Sequence, residues 1–456
     1  MDSQRKQLEY QLNLTFKVLR NFDWLLDLYV LEFFIDNHWE KLPTTWRETF
    51  EHLNLQDLGE FLLNKQTNKL LPLSFLALIK CVDNLTIPRQ RLQTDKNYTC
   101  HADQDSCKTH PKLKNLFLKH VKLKKRHEIS EMAHIVVDTA RQSQCDSVLD
   151  FGSGLGHLVR ILAYKEDLYT AGIECQEQLT IEARKLDMEL EYTVSKHLSH
   201  DAMAKLRRPL HFNLTLTSHE QLSSLALPNH MVSYGLIGLH PCGDLGPLLL
   251  KHFAQSDHVS FICMVGCCFM KLTCHGENRG YPMSNYLKSI DCHLSYASRE
   301  ISCHAIEVYC ERLRNGKYED LKVCIVHAYR AALERILVSF DPKLKHAPVR
   351  SIKHTNSLTF KKYCTLATEK LNIPIPWTPS VLEQGEADLR QWKRVVIVYT
   401  LRLALAPLVE TAVLLDRVLY VVEKGHYCDI KPVFDPKLSP RNHILIATRR
   451  KKFRNE

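Results

Sequence analysis

The sequence predicts an α/β fold: a parallel sheet with helices on both faces, preceded by a helical region and carrying one large late insertion. Three observations predict it. Short apolar runs of strand length alternate with helix-period segments from residue 113 to about 265. A glycine-rich turn, Asp150-Phe-Gly-Ser-Gly-Leu-Gly-His157, joins the first of those runs to a helix. The chain then closes on a long apolar helix and two short strands, 427–434 and 443–448.

The elements follow in order. Residues 1–95 read as a helical domain: Leu8, Leu12, Phe16 and Leu19 share one helical face, and Thr44 or Thr45 caps a helix through Trp46, Phe50 and Leu53. Residues 96–112 are polar and read as a linker. They carry Cys100, His101, Cys107 and His110, a spacing that matches no standard zinc site. The main domain, 113–456, opens with a helix over 128–140 and a strand over 147–150. After the glycine loop come a strand ending at Glu174, a helix over 176–189 and strands at 212–216, 234–239 and 259–265. Residues 276–391 are an insertion, and 393–449 supply the closing helix and strand pair.

The 456 residues are 45% hydrophobic, long enough for two or three domains, and carry a formal charge of +10. Sixteen cysteines lie singly or in adjacent pairs behind a polar start, so reduced thiols in the cytoplasm or nucleus are expected, with the Asn-x-Thr sequons coincidental. Lys112 to Arg126 and Arg449 to Arg454 concentrate the basic charge. Such runs are solvated faces or phosphate contacts, and they make RNA a candidate partner. The apolar stretch 395–422 is broken by Arg402, Pro407, Glu410, Asp416 and Arg417. Each ionisable group near a bilayer centre would cost about 2.5–3.5 kcal/mol, so no membrane span is expected.

The glycine loop carries the chemistry. Gly152, Gly154 and Gly156 let backbone approach a ligand, and the following helix presents its first N–H groups. Glu174 ends the next strand, where a carboxylate can accept from two ribose hydroxyls. A dinucleotide loop would set its third glycine one position later; here the acid Asp150 comes first, placed to hold an amino group. The pattern resembles the S-adenosylmethionine loop of class I methyltransferases, which assigns Asp150, Phe151, Gly152, Ser153, Gly154, Gly156, His157 and Glu174 to the cofactor. In that fold the loop 238–245 lies across the methyl donor. It offers His240 as base, Asp244 to orient a polar nucleophile, and Cys242; Cys267 and Cys268 reach the same edge from the next strand. No metal is expected among them.

The second loop makes the resemblance specific. His240-Pro-Cys-Gly-Asp-Leu245, Gly266-Cys-Cys-Phe-Met-Lys-Leu272 and Gly280-Tyr-Pro-Met-Ser284 resemble the methyltransferase-like twenty-five family. Lys124-Lys-Arg-His-Glu128, Leu42-Pro-x-x-Trp46, Leu403-Ala-Leu-Ala-Pro-Leu-Val-Glu-Thr411 and Leu415-Asp-Arg417 fit its branch also called ribosomal RNA adenine dimethylase domain-containing protein. The resemblance implies a class I (Rossmann-like) S-adenosylmethionine-dependent methyltransferase whose last strand is inserted antiparallel. No Asn-Pro-Pro-Tyr-type loop stands at 240–244, which argues against an exocyclic adenine amine as target. RNA is the favoured substrate class. A protein or small-molecule substrate on the same fold, or a non-catalytic cofactor- or RNA-binding module, are the alternatives.

Overall fold

In the computed structural model, residues 2–90, 121–223, 225, 227–276, 278–353, 355, 357–371 and 377–450 are described. The chain divides into two compact units. The first comprises residues 1–13, 88–293 and 411–456, and the second 14–87 and 294–410.

The first unit is built on a seven-stranded sheet of order β3-β2-β1-β4-β5-β7-β6. Its strands are β1 (Ser147–Phe151), β2 (Tyr169–Glu174), β3 (Leu210–Asn213), β4 (Tyr234–Leu239), β5 (Val259–Val265), β6 (Tyr427–Pro432) and β7 (His443–Thr448). The first five pair in parallel; β7 runs antiparallel between β5 and β6. This is the class I methyltransferase sheet, with the inserted antiparallel strand as expected. All residues of β1 and β4 are buried, which is why they read as unbroken apolar runs rather than alternating ones. Strand β3 lies two to three residues earlier than the sequence suggests. It is a four-residue edge strand with only one buried position, too short for a strong pattern.

Helix Leu123–Gln142 covers the sheet with Ile129, Met132 and Val136, which pack with Val148, Leu158, Leu162, Ile237, Phe261 and Ile444. Burying each such side chain contributes roughly 1.5–3 kcal/mol. The strand order reverses between β1 and β4, and in open α/β sheets the ligand crevice forms at that switch, beyond the carboxyl ends of the strands. The glycine loop leaves β1 at this point.

The second unit is helical. Residues 14–87 do not stand alone, as the sequence suggested, but cluster with 294–410, while residues 1–13 belong to the first unit. Helices Leu55–Asn64 and Ile306–Asn315 cross at Gly59, where a Cβ would lie 2.6 Å from the Arg314 backbone nitrogen. Nearby, Trp46 is buried edge-on against Phe50 and Phe75 and donates from Nε1 to Ser74 Oγ at 2.8 Å. A helix's apolar face shows in its own sequence, but the face that covers it, more than two hundred residues away, does not. The apolar stretch 392–423 is long and apolar enough to cross a membrane, yet 94% of its most apolar window is buried inside the protein, as in a core helix.

Candidate functional site: the glycine cradle and the thiol edge

Asp150 is the last residue but one of β1 and is 3% exposed, and among the described residues its Oδ1 has no hydrogen-bond partner. Burial pushes its carboxyl up to about 7; Lys125 opposes that and the nearby Glu174 adds to it. A buried carboxylate without a partner favours the approach of a cation. Phe151 is buried beside it and packs into the core.

The turn that follows is left-handed at all three glycines: φ is +74° at Gly152, +56° at Gly154 and +68° at Gly156. No atom lies within 4 Å of where a Cβ at Gly152 or Gly154 would stand, so the loop lines open space. Gly152 and Ser153 donate their N–H groups to the Ile173 carbonyl, at 2.9 and 3.3 Å, which ties the loop to β2. Glu174 accepts from Gly154 N at 3.0 Å on one oxygen and from Gln176 N at 3.0 Å on the other. Cys175 Sγ also donates to the second of these oxygens, at 3.4 Å, and the oxygen bonded to Gly154 keeps a lone pair for a further donor.

Sequence reasoning missed what holds this cradle from beneath. Arg160 sits on helix His157–Tyr164, in a run that is buried from Leu158 onward. Its Nε meets Asp187 Oδ1 at 2.5 Å, and the other Asp187 oxygen meets His211 Nε2 at 2.6 Å. Arg160 Nη2 also donates to the Leu155 carbonyl, inside the loop, at 3.1 Å. His211 closes the assembly under Gly156, where a Cβ would fall 2.7 Å from the ring. His157 Nδ1 lies 3.4 Å from Arg160 Nη1; burial first and then the Arg160 charge pull its imidazole down to about 4. His157 is therefore neutral at physiological pH. The available signal was a charged residue inside an apolar helix, which announces a buried partner without naming it.

The loops after β4 and β5 form the second half. His240 adopts φ +73°, and its Nε2 lies 3.0 Å from Glu128 Oε1. Burial raises the Glu128 carboxyl, but the bonds from His240 and Ser439 and the charge of Lys124 outweigh it and hold the group at about 2. An ionised carboxylate only accepts, so Nε2 carries the hydrogen and Nδ1 is left as the ring's acceptor when neutral. Asp244 uses Oδ1 to accept from Thr273 N at 3.0 Å, which binds one loop to the other. Cys242 is exposed, with its sulfur 3.3 Å from that of Cys267 and 3.4 Å from that of Cys268. The hydrogen bond from Cys267 draws the Cys242 thiol well below its usual value. A cavity of about 940 Å³ opens here, lined by Cys242, Asp244, Lys251 and Thr273 among others.

At the start of the second basic run, the Arg449 guanidinium donates to the Val259, Phe253 and Ser256 carbonyls and lies 3.3 Å from Asp257. The last turn of helix Leu245–Gln255 and the start of β5 present carbonyls together at this point, and one guanidinium donates to three of them. Residues 112–120 and 451–454 of the basic runs, and Cys100, His101, Cys107 and His110, lie outside the described residues.

Residues 124–275 match Methyltransf_32, a methyltransferase domain. A 229-residue stretch is 27% identical to Probable methyltransferase-like protein 25 of Mus musculus, covering 47% of this chain and 37% of that protein. The Homo sapiens protein of the same name matches at 27% over 233 residues, with the same coverage. Over this stretch the chain is similar to the methyltransferase-like 25 proteins. The matched stretch spans little more than a third of those relatives' length. Among solved structures, the plantazolicin methyltransferase BpumL in complex with SAH is 11% identical at a TM-score of 0.22, covering 62% of this chain and 86% of its own. Coclaurine N-methyltransferase bound to N-methylheliamine and SAH is 12% identical at 0.25, covering 98% of each. Likenesses this slight carry no argument; the methyltransferase-domain match over 124–275, which takes in the glycine loop and the β4 loop, does.

Proposed function

We propose that the first unit is an S-adenosylmethionine-dependent methyltransferase acting on RNA. The observation that carries the reading is Asp150: a buried acid whose Oδ1 has no partner among the described residues, at the foot of an open glycine cradle, fits the amino group of the donor's amino-acid tail. Glu174 fits the ribose, and the open space over Gly152 and Gly154 fits the body of the nucleoside. When bound, the donor supplies an electrophilic methyl on a sulfonium. The chain's own residues hold it, orient the acceptor and take up a proton if the acceptor carries one.

His240 suits the last task. Glu128 fixes its ring through Nε2 and stabilises the imidazolium formed when Nδ1 takes a proton. Asp244 acts as a positioning residue, because its carboxylate is engaged with Thr273. RNA is supported by the cations at the cavity: Lys251 lines it, and Lys288 and Arg279 lie close enough to add to the burial that lowers the Lys251 ammonium. A polyanion would relieve that crowding.

Purified protein is expected to bind S-adenosylmethionine and its demethylated product in calorimetry. Gly154→Arg, which fills the open cradle, is expected to abolish both while the chain stays folded, with stability lowered by about 1–2 kcal/mol because φ there is +56°. Binding of a nicotinamide dinucleotide in their place would overturn the reading. With a tritiated donor and an extract of cells lacking the protein, label is expected in the nuclease-sensitive fraction. His240→Ala should lose about a hundredfold in turnover or more at unchanged donor affinity. Asp244→Asn keeps an acceptor for Thr273 and should be mild, whereas Asp244→Ala should not. Label confined to protease-sensitive material would move the substrate to protein.

A further inference from the structure

We propose that Cys242, Cys267 and Cys268 form a three-thiolate site for one Zn²⁺, its fourth position open to the neighbouring cavity. The three sulfurs lie within 4.8 Å of one another, brought together from loops on two adjacent strands. Zinc bound tetrahedrally at about 2.3 Å from each sulfur sets those sulfurs about 3.8 Å apart. The observed 3.3 and 3.4 Å separations need only a few tenths of an ångström of opening. A disulfide would join two sulfurs at about 2.05 Å and leave the third without a role. A convergent set of three is what a metal uses.

The backbone is held to make this cluster. Cys268 has φ +45°, and His240, two residues before Cys242, has φ +73°; both lie in the left-handed region that side chains disfavour. Such conformations cost on the order of 1–3 kcal/mol each and persist where a site needs them.

A second observation comes from below the cluster. Arg417 is 1% exposed, and among the described residues its Nε, Nη1 and Nη2 all lack a hydrogen-bond acceptor. Its guanidinium reaches the strand end because residue 266 is glycine; a Cβ there would collide with Nη1. It lies 5.4 Å from the Phe269 ring and interacts electrostatically with Asp416 first and then with Cys267 and Asp244. Its chain neighbour Asp416 accepts from Met283 N at 2.7 Å and Ser284 N at 2.9 Å, and so is turned to backbone donors. Three neutral thiols give the buried cation nothing. Three thiolates around Zn²⁺ carry one net negative charge, which Arg417 balances. As each S–Zn bond forms, the thiol's proton passes to solvent.

Cys242 is exposed and lines the cavity, so the fourth position faces outward. Three protein ligands with one open position is the arrangement of zinc sites that bind water or substrate rather than of closed structural ones.

The full-length chain, purified with reductant and without chelator, is to be titrated with Zn²⁺ and separately with Co²⁺. One equivalent is expected at this site, with release of protons and with the thiolate-to-cobalt charge-transfer absorption and strong visible bands of a tetrahedral sulfur site. Cys242→Ser is expected to weaken Zn²⁺ binding about 100-fold or more and to remove a sulfur from the cobalt spectrum. Because Cys242 is exposed, that variant should keep its melting temperature. Cys81→Ser and the Cys100→Ser/Cys107→Ser pair should retain this equivalent. Unchanged affinity and spectrum in Cys242→Ser, loss of the equivalent with Cys100 and Cys107 instead, or a disulfide within the cluster in the reduced preparation would each overturn the proposal.

Discussion

Asp150→Asn is expected to abolish S-adenosylmethionine binding while raising the melting temperature of the ligand-free chain. In the unfolded chain an aspartate ionises near pH 3.9, whereas in the fold Asp150 does so at about 7, because burial penalises the charge and Glu174 repels it. Between those values the folded state holds a proton that the unfolded state has lost, so this group's contribution to stability falls as pH rises from about 4 to 7. Above pH 7 the penalty is complete. It amounts to a few kcal/mol, since each tenfold change in an ionisation constant corresponds to about 1.4 kcal/mol. Asparagine cannot ionise and escapes it. The donor's cationic amine removes the same penalty by supplying the missing partner. Its affinity should therefore weaken as pH falls below about 7, approaching tenfold per pH unit, because Asp150 must first ionise. Calorimetry and thermal melts across the neutral and mildly acidic range test both halves together. A wild type with pH-independent donor affinity, or an asparagine variant that melts lower, would remove Asp150 from its assigned place.

The second large effect lies one layer deeper. Asp187→Ala leaves Arg160, whose side chain is 4% exposed, as an uncompensated buried charge and takes the partner from His211. Losing one member of a buried pair costs roughly 3–5 kcal/mol. The loss should extend to the donor, since Arg160 also holds the Leu155 carbonyl and His211 supports Gly156. Arg160→Met combined with Asp187→Leu removes both charges and should melt higher than Asp187→Ala alone. Donor affinity need not follow, as methionine cannot hold the loop carbonyl. A double variant no more stable than the single one would mean the ion pair is not what Asp187 contributes.

What could be read in advance follows from distance along the chain. Strands β4 and β5 were legible to the residue, because a strand buried on both faces is a continuous apolar run with polar turns at each end. The cradle was legible because its glycines, its preceding acid and the following strand's acid lie within 25 residues. The supports were not. Glu128 and His240 are 112 positions apart, and Ser439 and Glu128 are 311 apart. Asp187 sits 27 residues beyond Arg160 on a helix where an acid looks like solvent-facing surface. Three cysteines from two loops gave no ligand spacing, since 242 and 267 meet only when β4 and β5 pair. The carbonyls that engage Arg449 were not legible either, because composition counts charges and not their partners.

The antiparallel strand has a consequence for how the molecule is made. Strand β5 finishes at Val265, but β7, its partner in the sheet, begins only at His443, about 180 residues later. At ribosomal rates of roughly 5–20 residues per second, some ten to forty seconds separate the two. During that interval a nascent five-stranded sheet presents the apolar edge of β5, with its backbone donors and acceptors unclaimed. Synthesis of this unit therefore includes a long window in which the edge of β5 waits for the strand that will cover it.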